Sequence, residues 1–475
     1  MRHRSVVFAG ALILVVGGSD LFAQYGGTLP VFPTGVTTNG GAASVVYGTN
    51  LSQAQWLGGD GGTAFPLDSV SAFWAFSDTF IGLPNQNFVN PNVRVGNTIA
   101  IASSLNGVFK PTYIFRGTAT NPLPFFMDPL NPNPNPTPGA PGYRFWTLKP
   151  FTDTYNPTHT LYVFLHRIQD NPDLSFKIYD TLIARVTNPT AGPTNWKIDL
   201  LSLTQSNGAP LSAFYGDDAF IFGGYVFAYG QYAPPNGSFR TVAIRIPMTT
   251  LSGAPTGNSY IGNAVEYYSQ TGNWVATNAG LVGTDAYDVG IPSTSGFSAR
   301  FHQPLNKWQV VYIRSNPGFN PPLGTAVMAM TSGSPFGPWG TPVAIWNIPY
   351  PYATHVYSAS EKYEYATNPN NRILFTISGY GSYDVQAVEV ANPFYSFQAS
   401  PSVPNADDPG VIVYKKKGPK SLLARKPSAS RRSPLPIQPS ELPLPISNQF
   451  ILSPPLGSPP QEETRLKIAA TPAPK

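Results

Sequence analysis

Cysteine is absent from this sequence of 475 residues. That excludes structural disulfides, thiolate metal sites, cysteine nucleophiles and an acylated lipoprotein anchor. Charge is scarce, at 11% of residues, and the Ala-, Glu-, Lys- and Leu-rich composition of a helical bundle or coiled coil is missing. No stretch reaches the ~18 consecutive apolar residues of a membrane helix, so no membrane span is expected. The sequence also lacks a G-x-S-x-G elbow, a zinc signature, a P-loop, a dinucleotide fingerprint and an EF-hand loop. Accordingly no cofactor and no metal is expected, and a structural calcium ion is not indicated. What is plentiful is glycine (44), proline (52) and aromatic residues (13%), the composition of many short strands joined by tight turns.

The two ends differ from the middle. Arg2, His3 and Arg4 precede an apolar run from Val6 to Val16, followed by small residues and Leu21-Phe22-Ala23. Residues 1–23 therefore read as a signal peptide, and the chain is expected to be secreted, periplasmic or on the cell surface of a bacterium. Residues 24–41 form a lead-in. From 401 onward Pro, Ser, Lys and Arg dominate, with 11 Lys and Arg against 5 Asp and Glu, which leaves 18 against 19 in residues 1–400. Residues 401–475 have too little apolar surface to offset their ordering entropy, and a disordered basic Pro-rich tail is expected. Such a tail is either a solvated spacer or a contact to anionic surfaces. The calculated pI near 9.1 belongs to this tail, so nucleic acid is not an expected partner.

Between residues 42 and 400 a four-strand pattern recurs five times. Its second strand stands out as AFWAFSD (Ala72–Asp78), LYVFLHR (Leu161–Arg167), GYVFAYGQ (Gly224–Gln231), WQVVYIRS (Trp308–Ser315) and RILFTISGY (Arg372–Tyr380). Each is followed by a strand of small and aliphatic residues, at Asn97–Ser104, Asp180–Asn188, Arg240–Met248, Thr325–Gly333 and Asp384–Asn392. First strands are expected near 62–68, 146–153, 217–224, 297–304 and 355–364, and fourth strands near 110–117, 195–202, 264–276, 339–349 and 394–399. Five such units predict an all-β, five-bladed β-propeller, in preference to a pair of β-sandwiches.

Function is then sought where first strands line a central channel. Asp60 sits among four glycines, Gly58-Gly59-Asp60-Gly61-Gly62, a segment whose backbone tolerates close approach. Asp217 and Asp218 open the third unit; neighbours on a strand point to opposite faces, and Asp217 is the preferred candidate. Asp78 ends the second strand of the first unit and is a supporting carboxylate. Paired carboxylates beside aromatic walls suit glycoside chemistry, one protonating the leaving oxygen and the other activating water or attacking the sugar. Catalytic candidates are thus Asp60, Asp217 and Asp78. Substrate-binding candidates are Tyr215, Asp218, His355, Tyr357 and Trp56; Glu361, Arg300 and His302 are further polar residues on first strands.

Several motifs resemble a known group. Gly59-Asp60-Gly61-Gly62 with Phe73-Trp74-Ala75-Phe76-Ser77-Asp78-Thr79-Phe80 resembles the opening signature of the secreted proteins called domain of unknown function 4185, a D-G pair followed by W-x-F-G-D-T. Tyr215-Gly216, Gly224–Gly230, Ala243–Pro247 and Ser334–Trp339 are similar in the same order. The resemblance implies a five-bladed propeller related to arabinanases, fructosidases and levansucrases, some members being bacterial endo-D-arabinanases that act through paired acids. By motif, Asp60 and Asp78 match the acids of the first blade. The fifth-blade pattern Y-x-x-x-x-H-P-E is here Tyr357 to Glu364, with the His-Pro lost and only Glu364 retained.

The expected function is therefore a secreted glycoside hydrolase-like monomer acting on a furanose-containing or related polysaccharide or oligosaccharide. The alternative is a non-catalytic carbohydrate-binding or scaffold propeller. Deleting residues 401–475 is expected to leave the melting temperature and any sugar chemistry unchanged; a loss of either on truncation would show that the tail is part of the working domain.

Overall fold

The computed structural model describes residues 43–45, 55–67, 71–82, 93–105, 108–117, 121–129, 142–153, 160–170, 176–204, 213–232, 240–292, 296–316, 323–348, 356–363, 366, 371–378 and 385–395. The expected signal peptide, the Pro-rich tail, His355 and Glu364 lie outside them. Among the described residues the protein is almost entirely β-structure, with one short α-helix, Met248–Gly253. No helix among them is long and apolar enough to cross a membrane.

Five sheets follow one another along the chain. Their antiparallel cores run in sequence order: Thr63–Pro66, Ser71–Phe76, Thr98–Leu105 and Val108–Gly117; Gly142–Thr152, Leu161–Asp170, Phe176–Val186 and Ile198–Ser202; Ala213–Phe222, Tyr225–Tyr232, Arg240–Pro247 and Glu266–Tyr268; Ser298–His302, Lys307–Asn316, Leu323–Ser332 and Val343–Asn347; and Tyr357–Glu361, Arg372–Ser378 and Val385–Ala391. A sixth, small sheet pairs Gln55–Gly59 with Thr79–Gly82 and Val93–Val95. The second and third strands of every unit lie within a few residues of their expected places. In the fifth unit most of the expected fourth strand, residues 396–399 of 394–399, lies outside the described residues.

Why these runs form strands is visible in their burial. Leu161–Ile168 is buried at every position, so both faces of this sheet are covered and the sequence reads as one apolar run without alternation. Alternate residues enter different cores. Leu161, Val163 and Leu165 pack with Phe73, Ala75 and Ile99 of the first sheet, while Tyr162 and Phe164 pack with Val226, Ala228 and Ile244 of the third. The same division continues through Tyr229 with Val310 and Tyr312, then Val311 and Ile313 with Phe375 and Ile377. The cycle closes where Leu374, Val385 and Ala387 of the fifth sheet join Trp74, Phe76 and Tyr113 of the first. A one-residue slip would exchange the two cores of a sheet, which fixes the register. Each buried aliphatic or aromatic side chain contributes about 1.5–3 kcal/mol by leaving water. The arrangement is propeller-like: each first strand has one hydrogen-bonded neighbour, and from the first sheet to the fifth each packs against the first strand of the following sheet.

Buried polar groups lock the sheets together. Arg185 donates to the Asp199 carboxylate and to the carbonyls of Leu251, Ala254 and Pro255, tying the end of the helix to the second sheet. His166 is fully enclosed, with Nε2 at 3.0 Å from the Tyr215 carbonyl. Burial lowers its pKa from 6.5 to about 4, against the opposing effect of that hydrogen bond. The unfolded chain takes up this proton as pH falls through 6.5, but the folded chain does so only near 4. Stability is therefore lost as pH falls across that window, by roughly 3 kcal/mol in all. His166→Gln keeps a donor for the carbonyl without the titration. The difference in unfolding free energy between this variant and the parent is expected to grow in the variant's favour from pH 7 to pH 4, as read from urea unfolding at each pH.

Candidate active site

A strand buried on both faces sends its side chains into the two flanking cores and leaves none to its open edge. Departures from regular strand geometry are then the places where a side chain can be re-aimed. Three of the five first strands carry one. The pairing shifts between Thr147 and Pro150 in the second sheet, between Tyr215 and Asp218 in the third, and between Tyr357 and Ala359 in the fifth. Pro150 cannot donate to the ladder, and Gly216 adopts φ +109°, where a Cβ would meet the Phe164 Cβ at 2.5 Å. Ser358 holds φ +58° without being glycine, a strained conformation costing on the order of 1–3 kcal/mol. In the first sheet the departure is the glycine-rich loop itself, with Gly61 at φ +83° and Gly62 at φ +59°.

Contacts link these irregular segments in a cycle. The Thr63 hydroxyl donates to the Leu148 carbonyl at 2.8 Å and the Ser77 hydroxyl to the Thr147 carbonyl at 3.1 Å. Lys149 Nζ lies 2.7 Å from Asp218 Oδ1. Asp218 Oδ2 accepts the Ala299 amide at 2.6 Å. The Ala359 amide donates to the Gly296 carbonyl at 2.9 Å, and the Tyr357 hydroxyl donates to Asp60 Oδ2 at 2.7 Å. The five first strands thus meet at one level, and Asp60 and Asp217 both belong to it.

The carboxylates differ in what holds them. Asp60 is buried, and its backbone is bonded to Ser77, Asp78 and Gly62. Asp217 lies in the bulge; its carboxyl is buried, hydrogen-bonded by Gln231, and Oδ2 has no partner among the described residues. Burial raises its pKa to about 7; the Gln231 bond opposes the rise and the Asp218 charge adds to it. A carboxylic acid near 7 holds its proton under neutral conditions and can give it to a leaving oxygen.

Several expected roles are corrected by these surroundings. Asp218 is buried and saturated by Lys149 and by the amides of Ala219 and Ala299, so it pins three sheets and has no oxygen for a sugar. Asp78 is buried against Arg144, whose guanidinium also grips Asp170 at 2.8 and 2.9 Å. Burial works against the Arg144 charge, but Asp78 and Asp170 outweigh it and raise its pKa. Asp78 is therefore half of a structural ion pair. Trp56 and Tyr215 are fully buried: Trp56 stacks on Tyr113 at 4.4 Å, and the Tyr215 hydroxyl donates to the Gly280 carbonyl. Neither offers a ring face to a ligand. Glu361 and His302 face each other at 3.0 Å in a buried seam with Gln309 and Asn392. Lys149, Gln231 and Ser378 were not among the sequence candidates, although Pro150, set inside an expected strand, signals the bulge that carries Lys149.

No group of three His, Asp or Glu residues suited to a metal ion occurs among the described residues. Removing Arg144 leaves the half-buried Asp170 without this cation and the buried Asp78 with only Arg94, at 4.0 Å, so Arg144→Met is expected to cost about 3–5 kcal/mol in urea unfolding. A loss below about 1 kcal/mol would place the pair among weak surface bridges.

No curated protein matches the sequence. Among solved structures, the chain is similar to a protein described as a candidate hydrolase from Bacteroides ovatus, at 15% identity and a TM-score of 0.49, over 70% of this chain and 86% of that one. It is also similar to a thermostable family-43 glycoside hydrolase, at 13% identity and 0.37, over 70% and 88%, and to a GH43_1 enzyme from Xanthomonas citri, at 9% identity and 0.38, over 79% and 93%. The family whose model matches is not domain of unknown function 4185, which the motifs resembled. With residues 46–379 matched, the chain belongs to the family described as Domain of unknown function (DUF5005).

Proposed function

We propose that this protein is a glycoside hydrolase-like enzyme, built as a five-bladed propeller, that cleaves a polysaccharide or oligosaccharide between Asp217 and Asp60. The observation that carries this reading is the Asp217 carboxyl. It sits in a strand bulge at the level where the first strands meet, with Gln231 on one side, Oδ2 open, and a pKa raised to about 7 by burial. That is the state required of a general acid, which must be protonated before the glycosidic oxygen departs. Asp60 supplies the second carboxylate, steadied by the Tyr357 hydroxyl. It activates water or attacks the anomeric carbon. Furanose-containing polymers are the substrate class to test first, since the motif resemblance points to them. Export and the tail's contact with anionic surfaces remain part of this proposal, and the protein works as a monomer without a cofactor.

A polysaccharide screen that detects released oligosaccharides tests the reading. On a confirmed substrate, kcat/KM is expected to fall as pH rises through about 7, where Asp217 loses its proton. Asp217→Asn should lower kcat by roughly 10²–10⁴ and abolish that alkaline limb. Asp60→Asn should be comparably impaired. Binding to a glycan array with no product released, and with both variants binding as the parent does, would instead identify a carbohydrate-binding propeller.

A further inference from the structure

We propose that the contact closing the fifth sheet onto the first is also the device that aims Asp60, making Tyr357 and Ser378 positioning residues of the acid–base pair. The proposal rests on the hydrolase reading for its activity readout but not for its structural one. Three contacts from the fifth sheet converge on residues 60–62. The Tyr357 hydroxyl donates to Asp60 Oδ2 at 2.7 Å across 297 residues of sequence. The Gly61 amide donates to the Ser378 hydroxyl at 3.1 Å across 317 residues. Gly62 lies so close to Val385 that a Cβ would stand 2.5 Å from its Cγ1.

The two sheets divide the work. The first sheet holds the Asp60 backbone, through the Asp60 amide to the Asp78 carbonyl at 3.2 Å and the Ser77 amide to the Asp60 carbonyl at 2.9 Å. The fifth holds the carboxylate. Tyr357 reaches it from the bulge at Ser358, whose left-handed backbone sets the entry of that strand. Ser378 ends the neighbouring strand and pairs directly with Tyr357 in the ladder, so both hydroxyls are delivered by one rigid hairpin. A hydroxyl bonded to a carboxylate is a strong and directional restraint. The Tyr357 restraint on Asp60 therefore forms only when the first and last sheets have met, and a ligand that uses Asp60 in this position favours the closed ring.

Two measurements test this on the full-length protein. The first is a double-mutant cycle in thermal unfolding between Tyr357→Phe and Asp60→Ala. Each single variant is expected to lower Tm, and the double variant to lie no lower than the worse of the two. Strictly additive losses would overturn the proposal. The second uses aryl glycosides or the polymer found by the screen. Tyr357→Phe and Ser378→Ala should lower kcat by about 10- to 100-fold, as misplacement of a reacting group does, while KM stays within about twofold. Ser378→Thr, which keeps the hydroxyl, should recover most of the loss. Unchanged kcat in both variants of an active enzyme would sink the idea even if the cycle is coupled. If the parent turns over no glycoside, the hydrolase reading fails and the unfolding cycle alone decides the positioning role.

Discussion

A ring of sheets contains one junction that chain connectivity does not make. Successive sheets are carried to each other by the loops between them, but the first and the last must find each other through side chains about 300 residues apart. In this protein that junction falls on the glycine-rich segment around Asp60. The lack of a side chain at Gly62 lets the fifth sheet approach the loop closely. The core shared by Trp74, Leu374 and Val385 then excludes water from the seam. Closure, packing and the placement of the Asp60 carboxylate meet in one junction.

The second constraint is that sheets covered on both faces have no side chains to spare. Regular positions feed the two cores alternately, which is why Trp56 and Tyr215 are core residues even though their ring types suit sugar stacking. Chemistry can enter only where regularity breaks, at a glycine loop or at a bulge. Pro150, Gly216 and Ser358 mark three such breaks at one level of the first strands. The backbone irregularities that would weaken an ordinary sheet are here what makes a site available.

Charge is used sparingly, and mostly in pairs. Arg144 with Asp78 and Asp170, Arg167 with Asp128 and Asp180, Arg185 with Asp199, and Lys149 with Asp218 all serve to join strands or sheets. Asp217 is held by an amide and Asp60 by a hydroxyl.

Strand positions and the order of five units were legible in residues 42–400, because β-branched and aromatic runs bounded by Gly, Pro and Asn are a local signal. Asp217 and Asp218 are separated by a bulge as well as by strand alternation, and only the alternation could be read from the sequence. Asp78 and Asp218 could not be classified from the sequence, since the cations that bind them, Arg144 and Lys149, lie 66 and 69 residues away. The partners of Asp60 are more distant still. Local residue chemistry by itself determined which segments are strands and which side chains can carry a proton. Which of those side chains are neutralised, buried or left to act was decided only in the tertiary structure, because burial and charge pairing depend on neighbours that the chain brings together by closing its ring.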